Sequence, residues 1–315
     1  MGIPVYSEIS NFSTGNLSKK RAFSISIVFL TDNLSASIEP LNSIYKFISN
    51  TKFSYELIII NLDKISYNYD VIFSTFPFVR ILFPQEKANY GSLFKIGISE
   101  SLSRNILFLN QDFRILNFNL DILNIYFSET SFGIIIPLIL NEKEEIIPGV
   151  VKMDVKKGFL TTFSMDIKGT AISSLYPKYP CFIINKNAFL SNPDFYDYTD
   201  EKYFLLELGY KVWKAGFIIT QARNFKVLYS GMEYPDLNIS DELEYLVFNL
   251  RNITLKTFKR GRKILLLKFI LKRLILLDFK YISRLMTTIK ETKKIKDESP
   301  VEDSAILTII NNDIP

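Results

Sequence analysis

Three short polar segments, each following an apolar stretch, carry oxygen-rich side chains that could bind a cation or a polar ligand. They are residues 31–33 (Thr-Asp-Asn), 61–63 (Asn-Leu-Asp) and 110–112 (Asn-Gln-Asp). Carboxylate and amide oxygens are the ligands that Mg²⁺ and Mn²⁺ prefer. Asn and Asp also end strands for purely structural reasons, so one such segment alone predicts little. Three of them at equivalent strand ends favour a ligand-binding site.

Histidine is absent from the sequence, and Cys181 is the single cysteine. These two facts exclude a Ser-His-Asp triad, a Cys-His pair, a histidine general base and a zinc site built from His or Cys. One cysteine also excludes an intramolecular disulfide and fits a reducing compartment. Any catalysis must therefore come from Asp, Glu, Lys, Tyr, hydroxyl groups or a metal held by oxygens.

The polar segments follow stretches that alternate between strand and helix patterns. Strands are predicted at residues 23–30, 55–60, 79–83, 105–109, 132–140, 181–184 and 217–220, and helices at 38–48, 90–102 and 200–215. Continuous apolar strands that alternate with helices indicate a parallel sheet covered on both faces. In such sheets ligands bind beyond the carboxyl ends of the strands, where the three polar segments fall.

Several segments carry a more specific pattern. The strongest is 106–112 (Ile-Leu-Phe-Leu-Asn-Gln-Asp), and others are 26–33, 133–137, 181–189, 200–204 and 209–217. Together they resemble the family-2 glycosyltransferases, particularly the bacterial rhamnosyltransferase-like branch. Residues 106–112 resemble that family's D-x-D motif. The resemblance covers about residues 24–285, and many motif letters are substituted.

The resemblance implies a fold and an activity. The fold is an α/β, GT-A-like domain with a mostly parallel central sheet that binds a nucleoside-diphospho-sugar. The activity is transfer of the sugar, with inversion, to a cell-surface glycan or a lipid-linked acceptor. The family pattern assigns a divalent metal, Mg²⁺ or Mn²⁺, to Asp112 and places Asn110 beside it. The expected donor contacts are Thr31, Asn33, Asn61 and Asn89.

The chain departs from the family pattern at three places. Asn61 stands where the family usually has an Asp that reads the nucleobase, and Tyr229 stands where a His is common. Leu205 and Leu206 align with the family's Glu-Asp pair, which supplies the general base. The candidate bases are therefore Glu207, Asp200 and Glu201. Acids in early helical turns are also favoured by the helix dipole alone. If none of them is a base, the chain is a non-catalytic binding or scaffolding protein on a degenerate fold.

Charge is distributed unevenly along the chain. Residues 251–290 contain twelve Lys or Arg and one acid, a net charge of +11, whereas the whole chain carries +5, which leaves −6 for the rest. Cations mixed with Leu, Ile and Phe are typical of a helix that lies in a membrane interface. A core-packed helix pair with a basic outer face is the alternative. Nucleic-acid binding is disfavoured by the acidic body and the Leu-rich pattern.

These patterns predict four regions: a flexible leader (1–22), a GT-A-like domain (23–235), a basic amphipathic helical segment (236–290) and a loose tail (291–315). No signal peptide is recognisable, and no stretch reaches the roughly 20 apolar residues of a membrane-spanning helix. We therefore expect a cytoplasmic protein that associates peripherally with the inner face of a membrane.

Overall fold

The computed structural model of the chain describes residues 5–11, 23–49, 53–63, 69–85, 88–118, 120–129, 131–156, 159–165, 171–232, 234, 243–253, 258–276, 278–292 and 301–311. Most of the predicted leader (1–4 and 12–22) and parts of the predicted tail (293–300 and 312–315) lie outside the described residues.

A central β-sheet organises the described residues. Its strands are β1 (Tyr6–Ser10), β2 (Ile25–Thr31), β3 (Tyr55–Asn61), β4 (Val79–Pro84), β5 (Asn105–Asn110), β6 (Phe113–Phe118), β7 (Phe132–Leu140), β8 (Ile146–Ile147), β11 (Ala171–Ser173), β12 (Phe182–Asn185) and β13 (Ile218–Tyr229). Two further strands, β9 (Val150–Lys156) and β10 (Phe159–Met165), form a separate antiparallel pair. The order across the main sheet is β1-β4-β3-β2-β5-β12-β7-β13-β11.

Six strands of this sheet (β4, β3, β2, β5, β7 and β13) run in the same direction, and β12 runs opposite to its neighbours β5 and β7. All seven residues of β2 are buried in the middle of the parallel part. A strand covered on both faces is apolar at most positions, which explains the continuous apolar run at residues 27–30 of β2. The predicted α/β fold with a mostly parallel central sheet is confirmed.

Helices cover both faces of the sheet. They are α1 (Ile38–Ser49), α2 (Asp70–Thr75), α3 (Tyr90–Glu100), α4 (Leu120–Ser128), α5 (Lys186–Leu190), α6 (Glu201–Lys214), α7 (Leu243–Asn252), α8 (Phe258–Ile275), α9 (Phe279–Thr292) and α10 (Asp303–Asn311). Helices α3, α6 and α7 contribute to one hydrophobic core, and α1, α2 and α4 contribute to the core on the opposite face. Burial against the sheet on both sides accounts for the amphipathic pattern of these helices.

The prediction of a flexible leader is wrong for Tyr6–Ser10, which form β1. This strand pairs antiparallel with β4 at the edge of the sheet. The phenol of Tyr6 donates a hydrogen bond to Glu100, and the carboxylate of Glu8 lies 3.9 Å from the guanidinium of Arg80. Four of the five residues of β1 are exposed, so the sequence has no apolar alternation to reveal the strand. Backbone pairing and these two contacts hold it.

The prediction of a loose tail is wrong for residues 303–311, which form α10. Ile306 and Ile310 of this helix are buried, and Asp303 makes an ion pair of 2.7 Å with Lys214. The ammonium of Lys152, in β9, donates to the carbonyl oxygen of Ile310 at 2.6 Å. Two apolar residues one helical turn apart and two polar anchors are enough to hold a short helix on the body.

Three helices, α7, α8 and α9, follow β13 in the described residues. The first of them, α7, packs on α6, and its Val247 and Phe248 are fully buried. Helix α9 contacts both α7 and α8 and buries Leu285. In the described residues, no helix combines the length and the apolar character needed to cross a membrane.

Candidate active site

Gln111 joins the turn after β5 to the loop after β2. Its Oε1 accepts hydrogen bonds from the hydroxyl of Thr31 at 2.7 Å and from the backbone N–H groups of Asp32 at 3.2 Å and Asn33 at 3.4 Å. Its Nε2 donates to the carboxylate of Asp32. The side-chain oxygen of Asn33 in turn accepts from the N–H of Ala36 at 3.1 Å. Two of the predicted polar segments therefore form one hydrogen-bonded edge, which is the expected carboxyl end of the strands.

Asn110 and Asp112 hold each other across the same turn. The amide of Asn110 donates to Oδ2 of Asp112 at 3.1 Å and accepts from the N–H of Asp112, also at 3.1 Å. The N–H of Ser230, just after β13, donates to the carbonyl oxygen of Asp112 at 3.0 Å. Burial raises the pKa of Asp112, and the charge on Asp32 raises it further, against the opposing effect of the bond from Asn110. This edge therefore holds a carboxylate that a cation would stabilise.

Glu201, in the first turn of α6, is the candidate base that the structure brings to this edge. Its Oε1 accepts a hydrogen bond from the phenol of Tyr234 at 3.2 Å. Burial raises the pKa of Glu201 to about 7; the bond from Tyr234 lowers it, and the charges on Asp200 and Asp112 raise it. The influence of Asp112 means that the two carboxylates share one electrostatic environment. A carboxyl group with this pKa is half ionised at neutral pH, which suits a general base.

A second acid, Glu244 of α7, fixes the backbone that leads into α6. Its carboxylate accepts from the N–H of Thr199 at 2.9 Å and from the N–H of Asp200 at 3.2 Å. The hydroxyl of Thr199 also donates to it. Because Glu244 is buried, these charge-assisted bonds act in a poorly solvated setting, where they are strong. The turn that carries Glu201 is thus fixed by α7, a helix that lies about forty residues later in the sequence.

Asn61 lies at the carboxyl end of β3, opposite Thr31 in the register of the sheet. Its Oδ1 accepts from the N–H of Asp63 at 3.1 Å, but its buried Nδ2 has no hydrogen-bond partner. Asn61 also lines a pocket of about 290 Å³, together with Ser7, Leu62, Asp63, Phe83, Pro84 and Gln85. A buried amide donor without a partner is costly unless a ligand supplies an acceptor. The pocket therefore suits a group that presents a carbonyl oxygen or a ring nitrogen.

Asn89 and Asp200 serve as the N-caps of α3 and α6. The side-chain oxygen of Asn89 accepts from the N–H of Ser92 at 2.8 Å, and its amide donates to Asp197. Oδ1 of Asp200 accepts from the N–H of Lys202 at 3.0 Å, and its other oxygen lies 3.3 Å from the Lys202 ammonium. Both predicted site residues therefore have a structural role that explains their type.

Glu207 is not placed as a base should be. Its side chain is fully buried and makes ion pairs of 3.6 Å with both Lys211 and Arg251. It also accepts from the N–H of Tyr196 at 3.0 Å and from the amide of Asn252 at 3.2 Å. A base must reach a hydroxyl of the acceptor, and this carboxylate is enclosed by its own partners. The structure thus places Glu207 in the core, enclosed by these partners.

Two tyrosines complete the surroundings of Glu201, and the sequence pointed to only one of them. Tyr229, at the position where the family pattern expects His, stacks on Phe113 with ring centroids 4.7 Å apart and donates to the carbonyl of Met232 at 2.6 Å. Burial, followed by the charges on Asp112 and Glu201, raises its pKa, so the phenol stays neutral and is a poor metal ligand. The sequence did not point to Tyr234, because this residue follows the last strand and belongs to no recognisable motif or periodic apolar pattern.

The oxygens at this edge fit a hard divalent cation that arrives with a phosphate-bearing ligand. Among the residues that the structure describes, no three His, Cys, Asp or Glu side chains are grouped so that they could hold a metal by themselves. Asp112 and Asp32 are, however, close enough for one charge to raise the pKa of the other acid. Mg²⁺ commonly uses one or two carboxylates and takes its remaining ligands from water and phosphate. Asp112 is the residue that would hold it here.

The sheet order, the helices on both faces and the polar edge define the GT-A glycosyltransferase fold, and solved structures confirm it. GalNAc-T7 with UDP, GalNAc and Mn²⁺ matches with a TM-score of 0.53 at 14% identity, over 73% of this chain and 48% of that one. S. aureus TarS 1–349 in complex with UDP-GlcNAc matches with a TM-score of 0.52 at 13% identity, over 74% of this chain and 68% of that one. Its complex with UDP gives 0.52 at 14% identity.

These similarities establish the fold of the chain. The chain spans about half the length of GalNAc-T7 and about two thirds of the TarS fragment. No family model and no curated protein sequence matches it. The predicted GT-A fold is therefore confirmed, and the rhamnosyltransferase-like branch stays a prediction.

Proposed function

We propose that this protein is a glycosyltransferase that moves a sugar from a nucleoside-diphospho-sugar to a hydroxyl of an acceptor, with inversion. The observation that carries the proposal is a chain of contacts from Glu201 to the carboxyl edge of the sheet. Tyr234 donates to Glu201 at 3.2 Å, and its ring lies 6.4 Å from that of Tyr229. The next residue, Ser230, donates its N–H to Asp112 at 3.0 Å. Burial raises the pKa of Glu201 to about 7. The presence of UDP in structures of GalNAc-T7 and TarS supports a nucleotide-sugar as the donor.

The donor would lie along the edge formed by the ends of β2, β3 and β5. The pocket beside Asn61 suits the nucleobase, because the unpartnered Nδ2 offers a hydrogen bond to an acceptor on the base. Thr31 and Asn33 border the nucleoside, and Asn110 orients Asp112. A divalent metal bound at Asp112 would stabilise the charge that develops on the departing diphosphate.

Glu201 supplies the proton acceptor for the transfer. The oxygen of the acceptor hydroxyl forms a bond to the anomeric carbon as the bond from that carbon to the diphosphate oxygen breaks. The hydroxyl proton passes to the carboxylate of Glu201, and the electron pair of the broken bond leaves with the nucleoside diphosphate. Attack opposite to the leaving group inverts the anomeric centre. The bond from Tyr234 holds the accepting carboxylate in place.

A non-catalytic binding protein on the same fold is the second candidate. It is supported by Leu205 and Leu206, which stand where the family pattern has its Glu-Asp pair and are fully buried. The two candidates differ in turnover. Both would bind a nucleotide, but only the enzyme needs Glu201 as a base.

The test has two parts. Calorimetric titration with UDP, dTDP, CDP and GDP, with and without Mn²⁺, should detect metal-dependent binding of at least one of them. Asp112→Ala should remove the metal dependence, whereas Glu129→Gln, which changes an exposed acid after α4, should not. Hydrolysis or transfer of the matching nucleotide-sugar should then depend on Glu201. Failure of every nucleotide to bind under both conditions would overturn the proposal, and binding without any turnover would favour the second candidate.

A further inference from the structure

The corner where α8 meets α9 exposes a group of large apolar side chains. Leu267, Leu271 and Ile275 are 59%, 52% and 82% exposed. They are spaced by four residues, so they share one face of α8. Leu274, Leu276 and Phe279 extend this face around the corner, and Phe279 is 63% exposed. Scattered exposed leucines are ordinary on a protein surface, but six large apolar side chains exposed within residues 267–279 form a patch that needs a partner.

Cations border this apolar corner. Lys268 and Lys272 lie on α8 and Lys280 lies on α9, and all three are exposed. The one acid between residues 251 and 290 is Asp278, and its carboxylate pairs with Arg273 at 3.2 Å. The corner therefore presents apolar side chains and positive charge together, and the one acid of the segment 251–290 is paired with Arg273.

The corner has a defined shape. The guanidinium of Arg273 lies 4.2 Å from the ring centroid of Tyr281, and Asp278 accepts from the N–H of Tyr281 at 3.0 Å. On the other side of α9, Leu285 is fully buried against the body. The sequence left open whether these helices pack on the core or lie on a membrane. In the structure, α9 packs on the core through Leu285. The side chains on the outer face of α8 and at the corner are exposed to solvent.

We propose that the α8–α9 corner docks on the surface of a bilayer that contains anionic lipid. Apolar side chains would enter the boundary between headgroups and acyl chains, and Lys268, Lys272 and Lys280 would meet the anionic headgroups. Charge separates this partner from a second copy of the chain, because two such corners would bring like charges together. The proposal goes beyond catalysis and rests on exposure and charge alone, so it can hold or fail independently of the proposed transferase. The peripheral association with the inner face of a membrane, expected from the sequence, stays a prediction.

Sedimentation with vesicles tests the proposal on the full chain. We expect the protein to pellet with vesicles of phosphatidylcholine and phosphatidylglycerol, to stay in solution with phosphatidylcholine alone, and to be released by salt. Lys268→Ala and Lys272→Ala should each weaken binding about fivefold. Leu271→Glu combined with Ile275→Glu should weaken it tenfold or more. Val71→Glu and Ile125→Glu change residues of similar exposure on α2 and α4 and should have no effect.

Three results would overturn the proposal. The wild-type protein could stay in solution with anionic vesicles, or the corner variants could bind as tightly as the α2 and α4 controls. A dimer in sedimentation equilibrium that the corner variants dissociate, without vesicle binding, would assign the corner to a second copy instead. Denaturant titration of the same variants should give the wild-type midpoint, which shows that they are folded and keeps this test separate from that of the transferase.

Discussion

The phenol of Tyr234 donates a hydrogen bond of 3.2 Å to Glu201, the acid whose pKa burial raises to about 7. The bond stabilises the ionised carboxylate, whereas burial and the charges on Asp200 and Asp112 stabilise its protonated form. Burial dominates, and the balance leaves the group poised near neutrality. In the proposed transferase, Tyr234 would position Glu201 and set how much of this carboxyl group is ionised.

The first prediction concerns the pH dependence of transfer. Since Glu201 must be ionised to accept a proton, kcat/KM should rise with pH and level off above an acid limb near pH 7. Tyr234→Phe removes a donor that favours the carboxylate, so the limb should move about one unit toward higher pH. Initial rates measured across neutrality would show both effects. A limb that does not move in Tyr234→Phe would mean that this bond does not control the base.

The second prediction concerns Glu201 itself. Glu201→Gln keeps the shape of the side chain and its bond to Tyr234 but cannot take a proton. We expect kcat above the acid limb to fall by about 10²–10⁴-fold, and the limb itself to disappear, while the affinity for the nucleotide is kept. Rates and calorimetric titration of the same preparation would separate the two effects. Undiminished turnover in this variant would place the base elsewhere.

The third prediction concerns Glu244, which holds the backbone before α6. Glu244→Ala leaves the N–H groups of Thr199 and Asp200 without their acceptor, so the turn that carries Glu201 should shift. We expect kcat to fall about 10²-fold with little change in nucleotide affinity, and the free energy of unfolding to fall by about 2 kcal/mol. Glu244→Gln keeps one acceptor oxygen, so its kcat and its free energy of unfolding should lie between those of the wild type and of Glu244→Ala. A loss of stability without any loss of kcat in the folded protein would make Glu244 purely structural.

The fourth prediction concerns Asn61 and the pocket that it lines. Asn61→Asp keeps the size of the side chain and the acceptor for the N–H of Asp63, but it replaces the unpartnered donor with a charged oxygen. Nucleotide affinity should fall about tenfold, because the acceptor on the base would then face a carboxylate. Asn61→Ala provides the comparison, since it removes the donor without adding charge. Equal affinity in all three proteins would exclude Asn61 from the nucleoside site.

The fifth prediction separates Glu207 from catalysis. Its removal would leave Lys211 and Arg251 buried without the carboxylate that they share. Glu207→Ala should therefore lower the free energy of unfolding by about 3–5 kcal/mol. Denaturant titration measures this loss, and the fraction that still folds should retain its turnover per folded molecule. A folded and stable Glu207→Ala protein without turnover would restore Glu207 as the base.

Much of the fold could be predicted because its central strands are buried on both faces. Continuous apolar residues such as those of β2 identify a strand without any knowledge of its neighbours, and the polar residues after it mark the strand end. The choice between Glu201 and Glu207 could not be made in this way. The two acids are six residues apart, about 120° from each other around the helix axis, so they face different surroundings. Which side meets the site depends on the packing of α6.

Elements that depend on distant partners were also beyond the sequence. β1 alternates neither in polarity nor in size, and it is a strand because β4 offers it an unpaired edge. Ile306 and Ile310 have the spacing of one apolar helix face, but nothing near them in the sequence shows which surface will cover them. The same holds for Tyr234, whose role is defined by a carboxylate that lies 33 positions earlier in the chain.

The anchoring of α10 has a consequence for the order in which this protein can complete its folding during synthesis. Lys152 meets the carbonyl of Ile310 across a separation of 158 positions, so β9 leaves the ribosome long before its partner exists. Until α10 emerges, the surface that it covers stays open and the ammonium of Lys152 lacks this acceptor. Contacts of such long range are slow to form and leave apolar surface exposed in the meantime. This face of the domain therefore closes only after residues 303–311 have been made.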